Sequence, residues 1–127
     1  MKILIIDDDK NTLEILKIHL SKNHEVTIYF NPQEAFEEFQ KNPNYSIVIT
    51  DYKMPNLGGD EIIERIFKLN HVQNFIFCTC SYDDELPKII LEKKDFIHVV
   101  SKPIDFLALD NSINSILEKI QDDKTKA

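Results

Sequence analysis

Five short, nearly continuous apolar runs divide this sequence at regular intervals, and few folds are compatible with that pattern. The runs are rich in Ile, Val and Phe, and they comprise Ile3–Ile6, Val26–Phe30, Ile47–Thr50, Phe75–Thr79 and Ile97–Val100. Runs of this length and composition are typical of β-strands. Because they contain little polar alternation, they indicate strands that are covered on both faces.

The stretches between these runs have helical periodicity. Leu13, Leu16 and Leu20 fall on one face of a first helix. Asn31 followed by Pro32 predicts the start of a second, because Asn is a favoured cap and proline is tolerated at the first helical position. Similar signals predict three further helices: one after Gly58-Gly59, one at about Glu85–Lys93, and one that begins near Asp105 as its cap.

Five strands that alternate with five helices predict right-handed crossovers and a parallel sheet with helices on both faces. The expected fold is a flavodoxin-like (βα)5 three-layer sandwich with strand order 2-1-3-4-5. We assign residues 1–121 to one domain and residues 122–127 to a polar C-terminal tail. In such sheets functional groups gather beyond the carboxyl ends of the strands, so the residues that end each strand are the ones to examine.

Charge and hydropathy exclude several classes of function. The chain has 22 acidic and 15 basic residues and a formal charge of −7, which repels nucleic acid phosphates and anionic membrane surfaces. No basic patch offsets this repulsion, so neither nucleic acid nor membrane is an expected partner. The N-terminus lacks the features of a secretory signal, and no stretch is long and apolar enough to span a bilayer. We expect a cytoplasmic protein.

The cysteines and two of the histidines are residue types that bind metals. Cys78 and Cys80 lie two residues apart in an apolar run, where a strand holds them too far apart for an unstrained disulfide, so we interpret them as reduced thiols. His19 and His24 have a zinc-like separation. They lie far from the cysteines in the sequence, however, and Cys-x-Cys is tighter than the usual zinc motif. No zinc site is predicted.

Acidic residues follow the first and third predicted strands. Asp7, Asp8 and Asp9 end the first, and Asp51 ends the third, which the fold places beside the first. One alternative is that these acids only cap the next helix. Carboxylates crowded together repel one another unless a cation is present, and Mg²⁺ prefers oxygen ligands of this kind. A carboxylate beside such a cation can attack phosphorus.

A hydroxyl and an ammonium are predicted at the same edge of the sheet. Thr79 ends the fourth strand, and Lys102 follows the fifth. Thr can donate a hydrogen bond to a phosphoryl oxygen, and Lys supplies a compact positive charge. Phosphoryl transfer depends mainly on positioning and charge neutralisation. The residues at the four strand ends are therefore chemically sufficient for it.

Taken in order, these motifs resemble the response-regulator receiver domain of two-component signalling, in particular the single-domain type of chemotaxis. They are Ile-Ile-Asp7-Asp8-Asp9, Asp51-Tyr-Lys-Met-Pro through Gly59, Thr79, and Lys102-Pro103. The resemblance covers almost the whole chain. It implies that Asp51 is the phospho-acceptor. It also implies that Mg²⁺ is bound by Asp7, Asp8, Asp51 and the backbone carbonyl of Lys53.

The same resemblance implies that Thr79 and Lys102 contact the phosphoryl group and that the bond before Pro103 is cis. The sequence departs from the usual pattern of the family, and one residue role stays open. Val99 occupies the position three residues before the lysine, where receivers usually carry an aromatic side chain. Ser81 is a rival to Thr79 for the hydroxyl role.

The function implied is Mg²⁺-dependent transfer of a phosphoryl group from a phosphohistidine to Asp51. The donor is a sensor histidine kinase or a histidine phosphotransfer protein. The surface of the fourth helix, fifth strand and fifth helix would then bind a downstream protein or a dimer partner, or the phosphoryl group would pass along a phosphorelay. We expect the chain to catalyse only its own phosphorylation and dephosphorylation rather than to act as an enzyme on other substrates.

Two alternatives remain open at this point. A degenerate receiver would take no phosphoryl group and act only as an interaction module. A phosphatase of the haloacid-dehalogenase type would use Asp7 as its nucleophile, since Asp7-Asp8-Asp9 also resembles that family's Asp-x-Asp motif. The second alternative leaves the segment from Asp51 to Gly59 unexplained.

Overall fold

The computed structural model describes residues 1–80 and 86–126, and strands alternate with helices along them. The strands are β1 (Lys2–Ile6), β2 (Glu25–Tyr29), β3 (Ile47–Asp51), β4 (Asn74–Thr79) and β5 (Ile97–Ser101). The helices are α1 (Lys10–Leu20), α2 (Pro32–Lys41), α3 (Gly59–Leu69), α4 (Lys88–Glu92) and α5 (Phe106–Lys126). The last helix includes most of the segment that we assigned to a polar tail.

The five strands form one parallel sheet in the order β2-β1-β3-β4-β5. This confirms the predicted flavodoxin-like fold and its strand order. The order reverses beside β1, because the chain goes from β1 outward to β2 and then returns to β3 on the other side. The pairing of Ile6 with Thr50 brings the residues that follow β1 and end β3 side by side.

A separate apolar layer covers each face of the sheet. On one face, side chains of β1, β3 and β4 pack with α2, α3 and α4 around Phe39, Ile63 and Phe77. On the other face, the alternate side chains of the same strands pack with α1 and α5 around Leu16 and Ile113. The three predicted inward positions of α1 are all buried. These two layers hold the carboxyl ends of the central strands in fixed positions.

The prediction that all five strands are covered on both faces is correct only for β1, β3 and β4. The strand β2 is at most partly buried throughout, and β5 exposes alternate residues. Both are edge strands of the sheet, so each has a neighbouring strand on one side only. Their apolar composition alone does not distinguish them from central strands.

Capping residues explain where the helices begin. The Asn31 side chain accepts hydrogen bonds from the first-turn amides of α2, and Asp105 accepts the amide of Leu107 at the start of α5. Both predicted caps are confirmed. The fourth helix is shorter than predicted, because it begins after Pro87, and proline disfavours helical conformation in the residue before it. Its predicted first residue, Glu85, lies outside the described residues.

Both cysteines are free thiols, as predicted. Cys78 is buried within β4, and burial raises the pKa of its thiol to about 12, which keeps it protonated and unreactive. Cys80 is exposed and lies beyond the end of the strand. Within residues 1–80 and 86–126, no helix combines the length and apolar character required to cross a bilayer.

Candidate functional site

The carboxyl ends of β1 and β3 bring three carboxylates together. Asp7 and Asp8 follow β1, and Asp51 is the last residue of β3. One ligand oxygen from each lies within 4.8 Å of the other two. Among the residues that the structure describes, no other set of His, Cys, Asp and Glu side chains is grouped this closely. We call this group the acidic cluster.

Asp7 is the most deeply buried member of the cluster, with 3% of its surface exposed. Its Oδ1 accepts the backbone N–H of Asp9 at 2.9 Å, and its Oδ2 accepts a hydrogen bond from Lys102 Nζ at 2.8 Å. A buried carboxylate requires such partners to remain charged. Both of its oxygens therefore have structural partners.

Asp51 is half-buried, and its Oδ1 accepts the backbone N–H of Tyr52 at 2.9 Å and lies 3.2 Å from Lys102 Nζ. The pKa of the Asp51 carboxyl is raised above its ordinary value, first by burial and then by the negative charge of Asp7. The ammonium of Lys102 and the Tyr52 amide oppose this shift only in part. A cation in the cluster would favour the ionised form of Asp51.

Lys102 follows β5 and joins the end of β4 to the acidic cluster through its backbone and its side chain. Its backbone N–H donates to the carbonyl of Thr79 at 2.8 Å, and the peptide bond to Pro103 is cis, as the resemblance implied. Burial opposes the charge on Nζ, but the hydrogen bond to Asp7 and the charges of Asp51 and Asp7 outweigh it, so the pKa of the ammonium is raised. One fixed positive charge therefore contacts two of the three carboxylates of the acidic cluster.

The other two aspartates after β1 have different environments. The Asp9 side chain caps α1 by accepting the amides of Asn11 and Thr12, and these hydrogen bonds lower the pKa of its carboxyl. The capping alternative is thus correct for Asp9. Asp8, by contrast, is exposed and lines an open cavity of about 660 Å³ together with Lys53. Lys53, whose backbone carbonyl is the predicted ligand, thus lines the same cavity as Asp8.

The first residue of α3 packs closely against the end of β3, and this contact helps to hold the backbone of Asp51 in place. The N–H of Gly59 donates to the carbonyl of Tyr52 at 2.8 Å, and the buried Thr50 hydroxyl donates to the carbonyl of Asp51 at 3.0 Å. A Cβ on Gly59 would lie only 2.0 Å from that carbonyl oxygen. The supporting roles of Thr50 and Gly59 were not predicted, although the spacing from Asp51 to Gly59 was the most specific motif in the sequence.

Three further positions were singled out in the sequence: Thr79, Val99 and Ser81. Thr79 is the last residue of β4, one position beyond Cys78, which pairs with Asp51 across the sheet. Val99 is 42% exposed on β5, so the place of the usual aromatic side chain is taken by a small surface residue. Ser81 lies outside the described residues.

The acidic cluster fits a small, hard divalent cation. Three carboxylates facing one ammonium leave an excess of negative charge, and all of the side-chain donors are oxygens, which Mg²⁺ prefers. The open cavity at Asp8 leaves space for the water ligands that Mg²⁺ usually retains. The residues at this edge therefore fit the predicted metal.

Comparison with known proteins identifies close similarities over nearly the whole chain. Residues 3–114 match the family described as response regulator receiver domain. The response regulator receiver protein CpdR of Brucella abortus is 28% identical over 123 residues, which cover 91% of this chain and 96% of CpdR. A response regulator receiver domain protein from Clostridium thermocellum has a crystal structure that matches with a TM-score of 0.84 at 32% identity, covering 94% of this chain and 96% of that one.

Other relatives are longer than this chain. The heme response regulator HssR of Staphylococcus epidermidis is 27% identical over 118 residues, which cover 93% of this chain but only 52% of HssR. The chain thus spans about half the length of that relative.

Proposed function

The chain belongs to the response regulator receiver domain family of two-component systems, and from that premise we propose that Asp51 accepts a phosphoryl group in a Mg²⁺-dependent step. The donor would be the phosphohistidine of a sensor histidine kinase or of a histidine phosphotransfer protein. The single observation that carries this proposal is the grouping of Asp51 with Asp7, Asp8 and Lys102 at one edge of the sheet.

The residues that would hold Mg²⁺ are Asp7, Asp8, Asp51 and the backbone carbonyl of Lys53. When bound, the ion would offset the negative charge of the carboxylates and of the incoming phosphoryl oxygens. Without such neutralisation, repulsion between Asp51 and a phosphoryl group would oppose their approach.

The side chains of this chain would perform the transfer as follows. Because Oδ1 of Asp51 accepts the Tyr52 amide, we assign Oδ2 to the attack on phosphorus. The new Oδ2–P bond forms as the N–P bond of the donor breaks, and the donor imidazole retains the bonding electron pair. Lys102 Nζ would then exchange its carboxylate partners for a phosphoryl oxygen, and the Thr79 hydroxyl would donate to another.

Asp51 is a better candidate for the acceptor than Asp7. Asp7 is 3% exposed, and its two oxygens are bound by the Asp9 amide and by Lys102. A nucleophile in that position would have to lose both partners before it attacked a phosphoester. This supports the receiver function over the phosphatase alternative. We propose that the chain catalyses only its own phosphorylation and dephosphorylation.

Output would pass through the surface formed by α4, β5 and α5. Phosphorylation adds negative charge and acceptor oxygens at Asp51, and movement of Thr79 and Lys102 toward them would bias β5 and its neighbours between two arrangements. Leu91 and Val99 are 61% and 42% exposed on this surface, which supports it as a place where a downstream protein or a dimer partner binds.

The test is to incubate the protein with acetyl phosphate, with and without Mg²⁺, and to measure intact mass. Wild type should gain one phosphoryl group only with Mg²⁺, and Asp51→Asn should gain none, while the cap variant Asp9→Asn should behave as wild type. Labelling that persists in Asp51→Asn would remove Asp51 from this role. A folded wild type that is never labelled would favour the degenerate receiver.

A further inference from the structure

Two histidines and an aspartate line one cavity at the end of α1 that lies away from the acidic cluster. His19 Nε2 lies 2.9 Å from Asp110 Oδ1 and 3.0 Å from Oδ2, although the two residues are 91 positions apart in sequence. Both side chains are partly exposed, at 28% and 42%. The ring of Phe106 packs on His19, with 4.4 Å between ring centroids. The imidazole is thus held against α5 with its Nε2 facing a carboxylate.

His24 lies beside this pair and has an unused nitrogen. It lines a cavity of about 250 Å³ together with His19 and Asp110. Its backbone N–H donates to the Leu20 carbonyl at 3.0 Å, which fixes the backbone. Its Nδ1, however, is buried and has no hydrogen-bond partner among the described residues. Buried polar atoms normally have one, so this nitrogen would gain a partner if the ring turned toward a ligand in the cavity.

We propose that His19, His24 and Asp110 form a second cation site, which binds a borderline divalent ion of the Zn²⁺ class. Two imidazoles and one carboxylate are a usual set of protein ligands for Zn²⁺, with a water at the fourth position. Zn–N and Zn–O bonds of about 2 Å place neighbouring ligand atoms roughly 3 Å apart. The 2.9 Å between His19 Nε2 and Asp110 Oδ1 is a hydrogen bond, which the ion would replace while leaving the two atoms about as far apart. The ligand that accompanies the two histidines is the carboxylate of Asp110 and not a cysteine. Asp110 lies far from both histidines in sequence, and the fold brings it close to His19.

Binding requires two changes: the ion replaces the hydrogen bond between His19 and Asp110, and the ring of His24 turns. Only the acidic cluster, among the described residues, has three ligand atoms within 4.8 Å of one another, so the His24 ring must turn toward the other two ligands. This turn breaks no hydrogen bond at Nδ1, because that atom has none to lose. The site is separate from the acidic cluster, because the 11 residues of α1 span about 16 Å. It therefore does not depend on the proposed function.

The experiment is a titration of the full chain with Zn²⁺ alone as the probe, in competition with a chromophoric chelator and with Mg²⁺ present in excess. Wild type should bind one Zn²⁺ with micromolar affinity or better. His24→Gln and Asp110→Asn should each weaken binding at least about tenfold, because loss even of an outer partner of a metal ligand costs 10-fold to 100-fold. Three controls should retain wild-type affinity: His71→Gln at an exposed histidine, Cys80→Ser at the exposed thiol, and Asp51→Asn in the acidic cluster.

A second measurement keeps the proposal testable if a variant is unstable. Co²⁺ bound to wild type should give the visible absorption of a tetrahedral site with nitrogen and oxygen ligands, and NMR should show the His19 and His24 ring signals shifting at one equivalent of Zn²⁺. Binding that is lost in Cys80→Ser or Asp51→Asn but kept in His24→Gln would overturn the proposal, as would affinity no better than millimolar. Failure here would leave labelling of Asp51 unaffected.

Discussion

At the residue scale, Asp7, Asp8 and Asp9 share one side chain but have three different environments. Asp7 is buried against Lys102, Asp8 is exposed beside the cavity at the loop after β3, and Asp9 caps α1. These differences depend on which direction each side chain takes as the chain turns from strand to helix. Consecutive residues of one type can therefore have separate functions.

This difference predicts opposite results for two matched substitutions. Asp8→Asn removes a negative charge from the proposed metal site, so we expect Mg²⁺ affinity to fall at least tenfold. Asp9→Asn should leave Mg²⁺ affinity within twofold, because Asn caps a helix about as well as Asp. Isothermal titration calorimetry with MgCl₂ measures both. Equal losses in the two variants would contradict the separate roles.

Gly59 should tolerate no side chain. Its Cβ would lie 2.0 Å from the carbonyl oxygen of Asp51, which is fixed backbone, so we expect Gly59→Ala to lower the free energy of unfolding by about 3 kcal/mol. The neighbouring Gly58→Ala is the control. Its Cβ meets chiefly the movable Asp60 carboxylate, and the expected loss is below about 1 kcal/mol. Urea denaturation of both variants tests the difference, and equal losses would contradict it.

Lys102 should stabilise the metal-free protein. Lys102→Gln leaves the buried carboxylate of Asp7 without its cation, and we expect a loss of about 2 kcal/mol, less than for a fully buried pair because the Lys102 side chain is 19% exposed. Lys88→Gln removes a surface pair with Glu92 and should cost below about 0.5 kcal/mol. Thermal unfolding in EDTA compares them. A Lys102 variant as stable as the Lys88 variant would show that the ion pair contributes little.

At the element scale, β5 is an edge strand whose alternate residues face different surroundings. Val99 is exposed on the surface shared with α4, whereas His98 is half-buried near Lys119 of α5. Burial, and then the positive charge of Lys119, hold the pKa of the His98 imidazole below its ordinary value of 6.5. His98 is therefore a strand residue that packs toward α5, and it is not on the exposed face with Val99.

This placement predicts how stability depends on pH. Below pH 6.5 the unfolded chain binds a proton at His98 more readily than the folded chain does, so stability falls as pH decreases through this region. His98→Gln removes that contribution, and its Tm should fall less between pH 7 and pH 5 than the Tm of wild type. His71→Gln, at an exposed turn, is the control. Parallel Tm curves for wild type and His98→Gln would contradict the assignment.

At the scale of the whole molecule, metal binding should be linked to folding. The acidic cluster is assembled from residues 7, 8 and 51, so a chain that has not folded offers no such site. We expect each tenfold increase of free Mg²⁺ above its dissociation constant to raise the free energy of unfolding by about 1.4 kcal/mol. NaCl at matched ionic strength should not reproduce this slope, and Asp8→Asn should shift its onset to at least about tenfold higher Mg²⁺. Equal effects of the two salts would show general screening of the charge of −7 instead.

The amino-acid sequence was sufficient to predict the order and type of the elements, because apolar periodicity and capping residues act over a few neighbouring positions. It also determined which residues end the strands, and therefore Asp7, Asp8, Asp51, Thr79 and Lys102 as candidates. Strand order followed from general rules for parallel sheets rather than from any single residue.

The folded structure was needed to show which aspartate caps a helix and that Lys102 pairs with Asp7 and Asp51. It was also needed to show that Gly59 packs against the Asp51 backbone and that Asp110 contacts His19. Each of these contacts joins residues whose relative positions depend on how helices pack on the sheet. Local sequence carries little information about such distances, because packing depends on every side chain of both layers at once.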